Sequence, residues 1–477
     1  MSHPIAGPLL EKVSGALDVL IDVSQQHHGL FPSMIGLQSH EMLVEMPDPI
    51  EGQRNTDRAY LGANLIHDQA TLAIMYALSC TQNKPEYATA ADRYLTRFAS
   101  HCTDTPSGLF PWGEHSYWHL VEDRVGNSYA DAAGMGHLPV THDHLRQAPL
   151  WLWEKLNELN PQSVQRFADG LDNHFTEGTE SEYIRHAYIM EANKRHRYGD
   201  KSNDFPRHSG FYIFDWAYAY SKSGRDELLQ QIYVIMDHWW HERDERGLLL
   251  ISSRLPENNE AFTTDHNAVA QTLSLAASLL EAADLLDSSQ PELATTMRER
   301  AATYVDGFFA APHDLSKNLY LISSTRSTNE PVRCASIWGS VYGHWPASYI
   351  AIIALCAYRH TNDERLLTWA SAVGDAYLAE PLPADLTAPA MDAGIALEVL
   401  ADLHDQTGDP KWLEGGLELA AKLQPIYFDH TLPRGAAGID WYESQMGPCF
   451  LLHGMARLGL LEQDRENCPL GPDYTAR

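Results

Sequence analysis

Thr81-Gln82-Asn83-Lys84-Pro85-Glu86-Tyr87 joins two helical stretches, one running from Asn64 to Leu78 and the other to about His101. Asn tolerates left-handed backbone at a helix end, and Pro suits the first turn of the helix that follows. The joint recurs in varied form at Ser221-Lys222-Ser223-Gly224-Arg225-Asp226-Glu227-Leu228, His360-Thr361-Asn362-Asp363-Glu364-Arg365-Leu366 and Thr407-Gly408-Asp409-Pro410-Lys411-Trp412. A looser copy is Glu158-Leu159-Asn160-Pro161-Gln162. Short joints make antiparallel neighbours, and a recurring joint signals a repeat architecture.

Helical pairs follow at roughly 61–101, 145–176, 208–243, 265–310, 345–379 and 389–426. One helix remains at each end, at about 7–26 and 443–461. If those two pair, seven hairpins close a ring, an all-α (α/α) toroid whose inner helices line a funnel. Six hairpins result if one pair is misread, and a superhelical solenoid would share the hairpins without a closure partner for the end helices. The expectation is one catalytic domain over 1–477, with the helix and extended loop of 1–57 closing the ring. Short strands are expected at Gly247–Ser252 and Asn318–Ile322, in loops gathered at one funnel mouth, where a pocket belongs.

Composition narrows the function. At 477 residues and 44% hydrophobic, the chain can build a large core. Its net charge of −30 disfavours nucleic acid, which needs basic patches. An anionic sugar remains a possible partner if Arg, Lys or a metal clusters locally. The 12 Trp and 22 Tyr suit sugar stacking and helical cores alike. Six scattered cysteines without metal-type spacing read as reduced, mostly buried thiols. No basic leader precedes the first apolar stretch, and no run approaches the roughly 18 apolar residues of a membrane span. The expectation is a cytoplasmic protein with no membrane partner.

The densest chemistry lies between Phe110-Pro111-Trp112-Gly113-Glu114-His115 and Thr141-His142-Asp143-His144-Leu145-Arg146. Other candidates are His67 at the start of the first inner helix, Trp118, Arg185-His186, and Arg207-His208 with Tyr212. Asp265-His266, Trp338 with Tyr342, and Asp440 with Tyr442 complete the set. Two chemistries use such groups. One is metal-assisted β-elimination of a uronic acid, in which a cation acidifies the proton beside the carboxylate and a base removes it. Arg can be that base only where its surroundings favour the neutral form. The other is glycoside hydrolysis, which needs two flanking carboxylates, with Glu114 and Asp143 or Asp265 as the pair. A sugar epimerase or isomerase is a third reading, since toroids also host His-based proton transfer.

The order Trp112-Gly113-x-His115, His142-Asp143-His144-Leu145, Arg185-His186 resembles that of the family 2 pectate lyases, α/α-toroid enzymes that cleave polygalacturonate by elimination. The resemblance, carried by about 110–190, implies a bound divalent metal with His115, His144 and His186 as ligands and Arg185 as base. Where that family has a metal-binding Glu in a His-Glu-Leu stretch, this chain offers His144, with Asp143 beside it. Three imidazoles suit Mn, Zn, Ni or Fe better than Ca or Mg. Arg207 is an alternative base, or a ligand for the substrate carboxylate. Trp112, Trp118, His67, Arg146, Tyr212, His266, Trp338, Tyr342 and Tyr442 are the expected substrate contacts, on an anionic oligosaccharide.

Overall fold

The computed structural model describes residues 5–143, 146–175, 183–192, 204–252, 265–339 and 345–477. Fourteen α-helices lie in this part: α1 (Ala6–Ser24), α2 (Leu65–Thr81), α3 (Pro85–Arg97), α4 (Leu150–Leu159), α5 (Pro161–Gly170), α6 (Pro206–Ser223), α7 (Asp226–Glu242), α8 (Val269–Leu286), α9 (Pro291–Ala310), α10 (Ala347–Thr361), α11 (Glu364–Ala379), α12 (Ala390–Thr407), α13 (Pro410–Tyr427) and α14 (Pro448–Gln463). They form an α/α toroid. The joints behave as their residues require. Gly224, Asn362 and Gly408 close α6, α10 and α12 in the left-handed conformation, while the carboxylates of Asp363 and Asp409 cap α11 and α13.

Burial separates two rings. Residues 390–404 of α12 are all buried, as are the first fourteen of α14, so these helices touch neighbours on every side. Going round the inner ring, α2 packs on α14, α14 on α12, α12 on α10, α10 on α8, and α8 on α6. Apolarity over the full length of α8 passes for a membrane span by composition, contrary to expectation, but that helix is 78% buried inside the ring. Close approach needs glycine: a Cβ on Gly394 would sit 2.2 Å from the Leu451 nitrogen and the Phe450 carbonyl carbon.

Between α6 and α2 the ring is completed differently. The second hairpin is short, with α4 against α3 and α5 against α6. The segment leading into α4 reaches across the funnel instead. The side-chain oxygen of Gln147 accepts from Ser278 at 2.8 Å and its amide donates to Glu281 at 2.8 Å, both on α8.

Among the described residues there are ten short strands: β1 (Met34–Gly36), β2 (Gly62–Ala63), β3 (Ser116–His119), β4 (Arg124–Asn127), β5 (Thr141–Asp143), β6 (His186–Tyr188), β7 (His266–Asn267), β8 (Tyr320–Thr325), β9 (Pro331–Ala335) and β10 (Trp441–Glu443). The expected strand at 318–322 is β8, paired with β7 and β9; 247–252 contributes a single bridge, Leu250 to Asn267.

Two devices close the ring. The N-terminal loop pairs β1 with β10, and the fully buried Arg58 forks onto Glu443 with two 2.8 Å bonds. At the opposite end, residues 464–477 fold back over the inner helices. Gln69 of α2 donates to Asp473 at 2.5 Å, the Tyr474 hydroxyl donates to Asp402 of α12 at 2.6 Å, and Arg477 pairs with Glu281 of α8. This tail forms a floor under the funnel. All six cysteines are free thiols; Cys102, Cys356 and Cys449 are buried, Cys468 is half-buried, and Cys80 and Cys334 are exposed, fewer buried than expected.

Candidate metal centre

The site grows out of β5 and β6. Strand alternation sends His142 to one face and Asp143 to the other, and the antiparallel register sets Asp143 directly across from His186. Behind the strands, the Trp112 indole donates to His142 Nε2 at 3.1 Å. His142 Nδ1 must therefore carry its proton and donate to His174 Nε2 at 2.9 Å. His174 in turn donates from Nδ1 to the Ile184 carbonyl at 2.8 Å. This chain of bonds fixes the backbone one residue before Arg185.

The third element is the loop carrying Trp112-Gly113-Glu114-His115. Gly113 has φ +96°, and a Cβ there would lie 2.1 Å from the Asp143 carbonyl oxygen, so only glycine lets this loop meet β5. Asn64 clamps it from α2, donating to the Gly113 carbonyl at 2.7 Å and accepting from the Gly113 amide at 3.3 Å.

Glu114, His115, Asp143 and His186 converge, each offering one ligand atom within 4.8 Å of the others. His115 donates from Nδ1 to the Thr56 carbonyl at 2.8 Å, which leaves Nε2 with its lone pair toward the cluster, 3.7 Å from Glu114. Tyr129 stacks on the His115 ring at 4.7 Å. Arg185 Nη1 stands 3.4 Å from Glu114 and 3.5 Å from Asp143. Arg54 holds Asp57 at 2.8 Å and Glu114 at 3.2 Å.

Electrostatics sort these groups. Burial, helped by the charge of Arg185, keeps both imidazoles neutral, with His115 brought down to about 3. Burial alone would raise Asp143, but Arg185 and His186 outweigh it and hold its carboxyl well below the usual range. Glu114 is pushed the other way, by burial and then by Asp57 and Asp143. Burial would lower Arg185; Asp143 and Glu114 reverse this and raise it. Burial and the charge of Arg185 bring Arg207 down to about 10.

The donor set fits a divalent cation. Neither Asp143 oxygen nor His186 Nε2 has a hydrogen bond of good geometry among the described residues, although all three atoms are buried. Buried polar atoms normally find a partner, and two neutral imidazoles with two carboxylates are metal ligands by type.

Other expected residues separate. His144 and Tyr342 lie outside the described residues; Asp143 is the residue that β5 brings to the cluster, beside Glu114. Trp112 belongs to the core, 5.1 Å from Phe110 and 5.6 Å from Trp153 between ring centres, and its expected substrate contact is replaced by the bond to His142. Trp118 donates to Asp123 at 2.9 Å. Trp338 donates to the Glu380 carbonyl at 2.9 Å and packs on Tyr377. Tyr212, Tyr442 and His208 are fully buried, and His266 sits in β7 beside Thr325. Asp265 is exposed, accepting from the Ser327 amide and hydroxyl at 2.7 and 2.9 Å; Asp440 pairs with Arg434. His67 is buried in α2, kept neutral by burial and by the charge of Arg146. Arg146 lies across the funnel against Phe450 and Met391. Arg54 and Asp57 enter the site without a sequence signal, from a loop with no periodicity, while Asn64 is legible only as the start of a helix.

Residues 41–214 match the sequence profile of one family. Its description is periplasmic pectate lyase. The match spans the closing loop, the first two hairpins and the start of α6, and so includes every member of the cluster. It also corrects the cytoplasmic expectation, since the matching family is described as periplasmic. No curated protein matches the sequence. Among solved structures, the α-1,2-mannosidase from Trichoderma reesei is similar with a TM-score of 0.56 at 12% identity, covering 95% of this chain and 93% of that one. A sugar epimerase from a ruminal bacterium is similar with a TM-score of 0.51 at 10% identity, covering 96% and 99%. At these identities the likeness is one of fold. The α/α toroid hosts hydrolysis and epimerisation alike, so the reaction must be read from the site.

Proposed function

We propose that this protein is a lyase that cleaves uronic-acid-containing oligo- or polysaccharide by metal-assisted β-elimination. The observation that carries the reading is the buried convergence of His115, Asp143, His186 and Glu114 with Arg185 at their edge. A divalent cation held by those four residues would act as a Lewis acid on the substrate carboxylate, acidify the adjacent C–H, and take up the charges that keep Arg185 protonated. The mixed imidazole and carboxylate set suits Mn, Fe, Zn or Ni.

The chain's own residues do the rest. Arg185 stands within 3.5 Å of two cluster carboxylates and on this reading receives the proton α to the substrate carboxyl. As that proton leaves, its electron pair forms a double bond between the α and β carbons, and the C–O bond at the β carbon breaks with its pair on the leaving oxygen, which takes a proton from solvent to become the new hydroxyl. Arg54 and Thr56 hold Glu114 and His115 in place from the closing loop. The hydrolase alternative has less support. A glycosidase needs two carboxylates flanking the bond; Glu114 and Asp143 converge with two imidazoles instead, and Asp265 is held at the surface by Ser327.

The test is incubation with oligogalacturonides while following ultraviolet absorbance. Unsaturated product is expected in the wild type, and Arg185→Ala should abolish it while keeping the metal content. Reducing sugar released without absorbance would refute elimination.

A further inference from the structure

Beside the tail that floors the funnel, a second group of ligand-type side chains comes together. Cys356 and His360 stand four residues apart on α10, so they share one face of that helix. Glu281 reaches them from α8, which packs on α10. The three offer one ligand atom each within 4.8 Å of the others, and none belongs to the cluster at β5 and β6. His360 donates from Nδ1 to Asp284 at 2.8 Å, the kind of bond by which a carboxylate orients a metal-binding imidazole. That leaves the ring's lone pair on Nε2. Arg298 holds Asp284 in turn, at 2.9 Å.

A cation already occupies this corner. Arg477 donates from Nη1 to Cys356 Sγ at 3.1 Å and pairs through Nη2 with Glu281. Its Nε is buried without a hydrogen bond of good geometry among the described residues, so the guanidinium satisfies the corner only in part. A thiol, an imidazole and a carboxylate around one point suit zinc, a borderline-soft cation that takes S, N and O ligands. Burial keeps the Cys356 thiol protonated, so a metal has to displace that proton. His360 is exposed and Glu281 half-buried, which gives an ion a way in.

We propose that Cys356, His360 and Glu281 form a second metal site, of zinc type, in which the incoming cation replaces the guanidinium of Arg477. The metal takes bonds from sulfur, nitrogen and oxygen, the thiol proton goes to solvent, and a water fills the fourth tetrahedral position. Arg477 leaves with its charge, and the tail loses its attachment to α8 and α10. The site shares no residue with the β5–β6 cluster and does not depend on what that cluster does.

Cobalt titration of the full chain tests this, because the β5–β6 cluster holds no sulfur. A sulfur-to-cobalt charge-transfer band in the near ultraviolet is expected, and added zinc should bleach it. Cys356→Ser should remove the band. His360→Gln, at an exposed position, should weaken binding at least about tenfold, the lower end for even an outer-shell change, and it decides the matter if Cys356→Ser fails to fold. Arg477→Gln should tighten binding about tenfold or more, since hydrogen bonds from a charged group no longer compete. No band in either the wild type or Arg477→Gln would overturn the site, as would a band that survives Cys356→Ser or an affinity indifferent to His360. Unchanged affinity in Arg477→Gln would overturn the replacement of the guanidinium.

Discussion

Replacing Asp143 by Asn removes one charge from the cluster while nearly preserving shape. Burial opposes the Asp143 charge, but Arg185 lies 3.5 Å from the carboxylate, an attraction of about 4.7 kcal/mol at an effective dielectric of about 20, and with His186 it outweighs burial. Glu114, pushed toward its neutral form by burial, does not cancel this attraction. The chelator-treated variant should therefore melt a few degrees below the wild type. Metal binding should suffer more. Losing a charged ligand should weaken it by more than the roughly 10- to 100-fold typical of an outer-shell change, so the increase in Tm on adding Mn or Zn should shrink or vanish. Thermal melting with and without metal, with elemental analysis of the purified variant, checks both halves. If Asp143→Asn lowers the Tm of chelator-treated protein by many degrees and keeps the full metal-dependent increase, Asp143 is a structural ion-pair partner and the proposed ligand set is wrong.

Gly113→Ala should weaken metal binding about tenfold or more without touching a ligand side chain, because its Cβ collides with the Asp143 carbonyl; titration with metal reads this directly. Arg58→Ala leaves Glu443 buried without its cation, and urea unfolding should register a loss of about 3–5 kcal/mol. Burial pushes Asp68 and Asp392 up to about 8 each, against the opposing hydroxyls of Tyr94 and Tyr349. A raised carboxyl pKa means the folded protein binds more protons, so this contribution is full below about pH 4 and is lost as pH rises toward 8, by up to about 1.4 kcal/mol per unit for each group. Urea midpoints across that range should fall, and Asp392→Asn should flatten the profile.

The ring was legible in the sequence because its joints are local. Pro at the first turn and Gly or Asn at the left-handed end act within a few residues, as α6, α10 and α12 show. The site was legible only where a motif carried it. His115 and His186 lie in short recognisable strings, yet which residue of His142-Asp143-His144 faces inward depends on strand register, and β5 acquires its register from β6 more than 40 residues away. Trp112 read as a sugar platform, but packing against Phe98, Phe110, Trp153 and Phe167 makes it core. Arg54 and Asp57 could not be found at all, since the fold alone brings that aperiodic loop to Glu114 and His115.

The tail beneath the funnel bears on how the molecule is made. Its contacts join residues 404 and 196 positions apart, Gln69 with Asp473 and Glu281 with Arg477, and the loop-closure entropy of such contacts must be met before they contribute. Every described helix precedes residues 464–477 in the chain, so helical hairpins can pair as they are synthesised before the tail's contacts form. Docking of the tail after the helices would show in pulsed proteolysis during refolding as cleavage near residue 464 while helix content is already native.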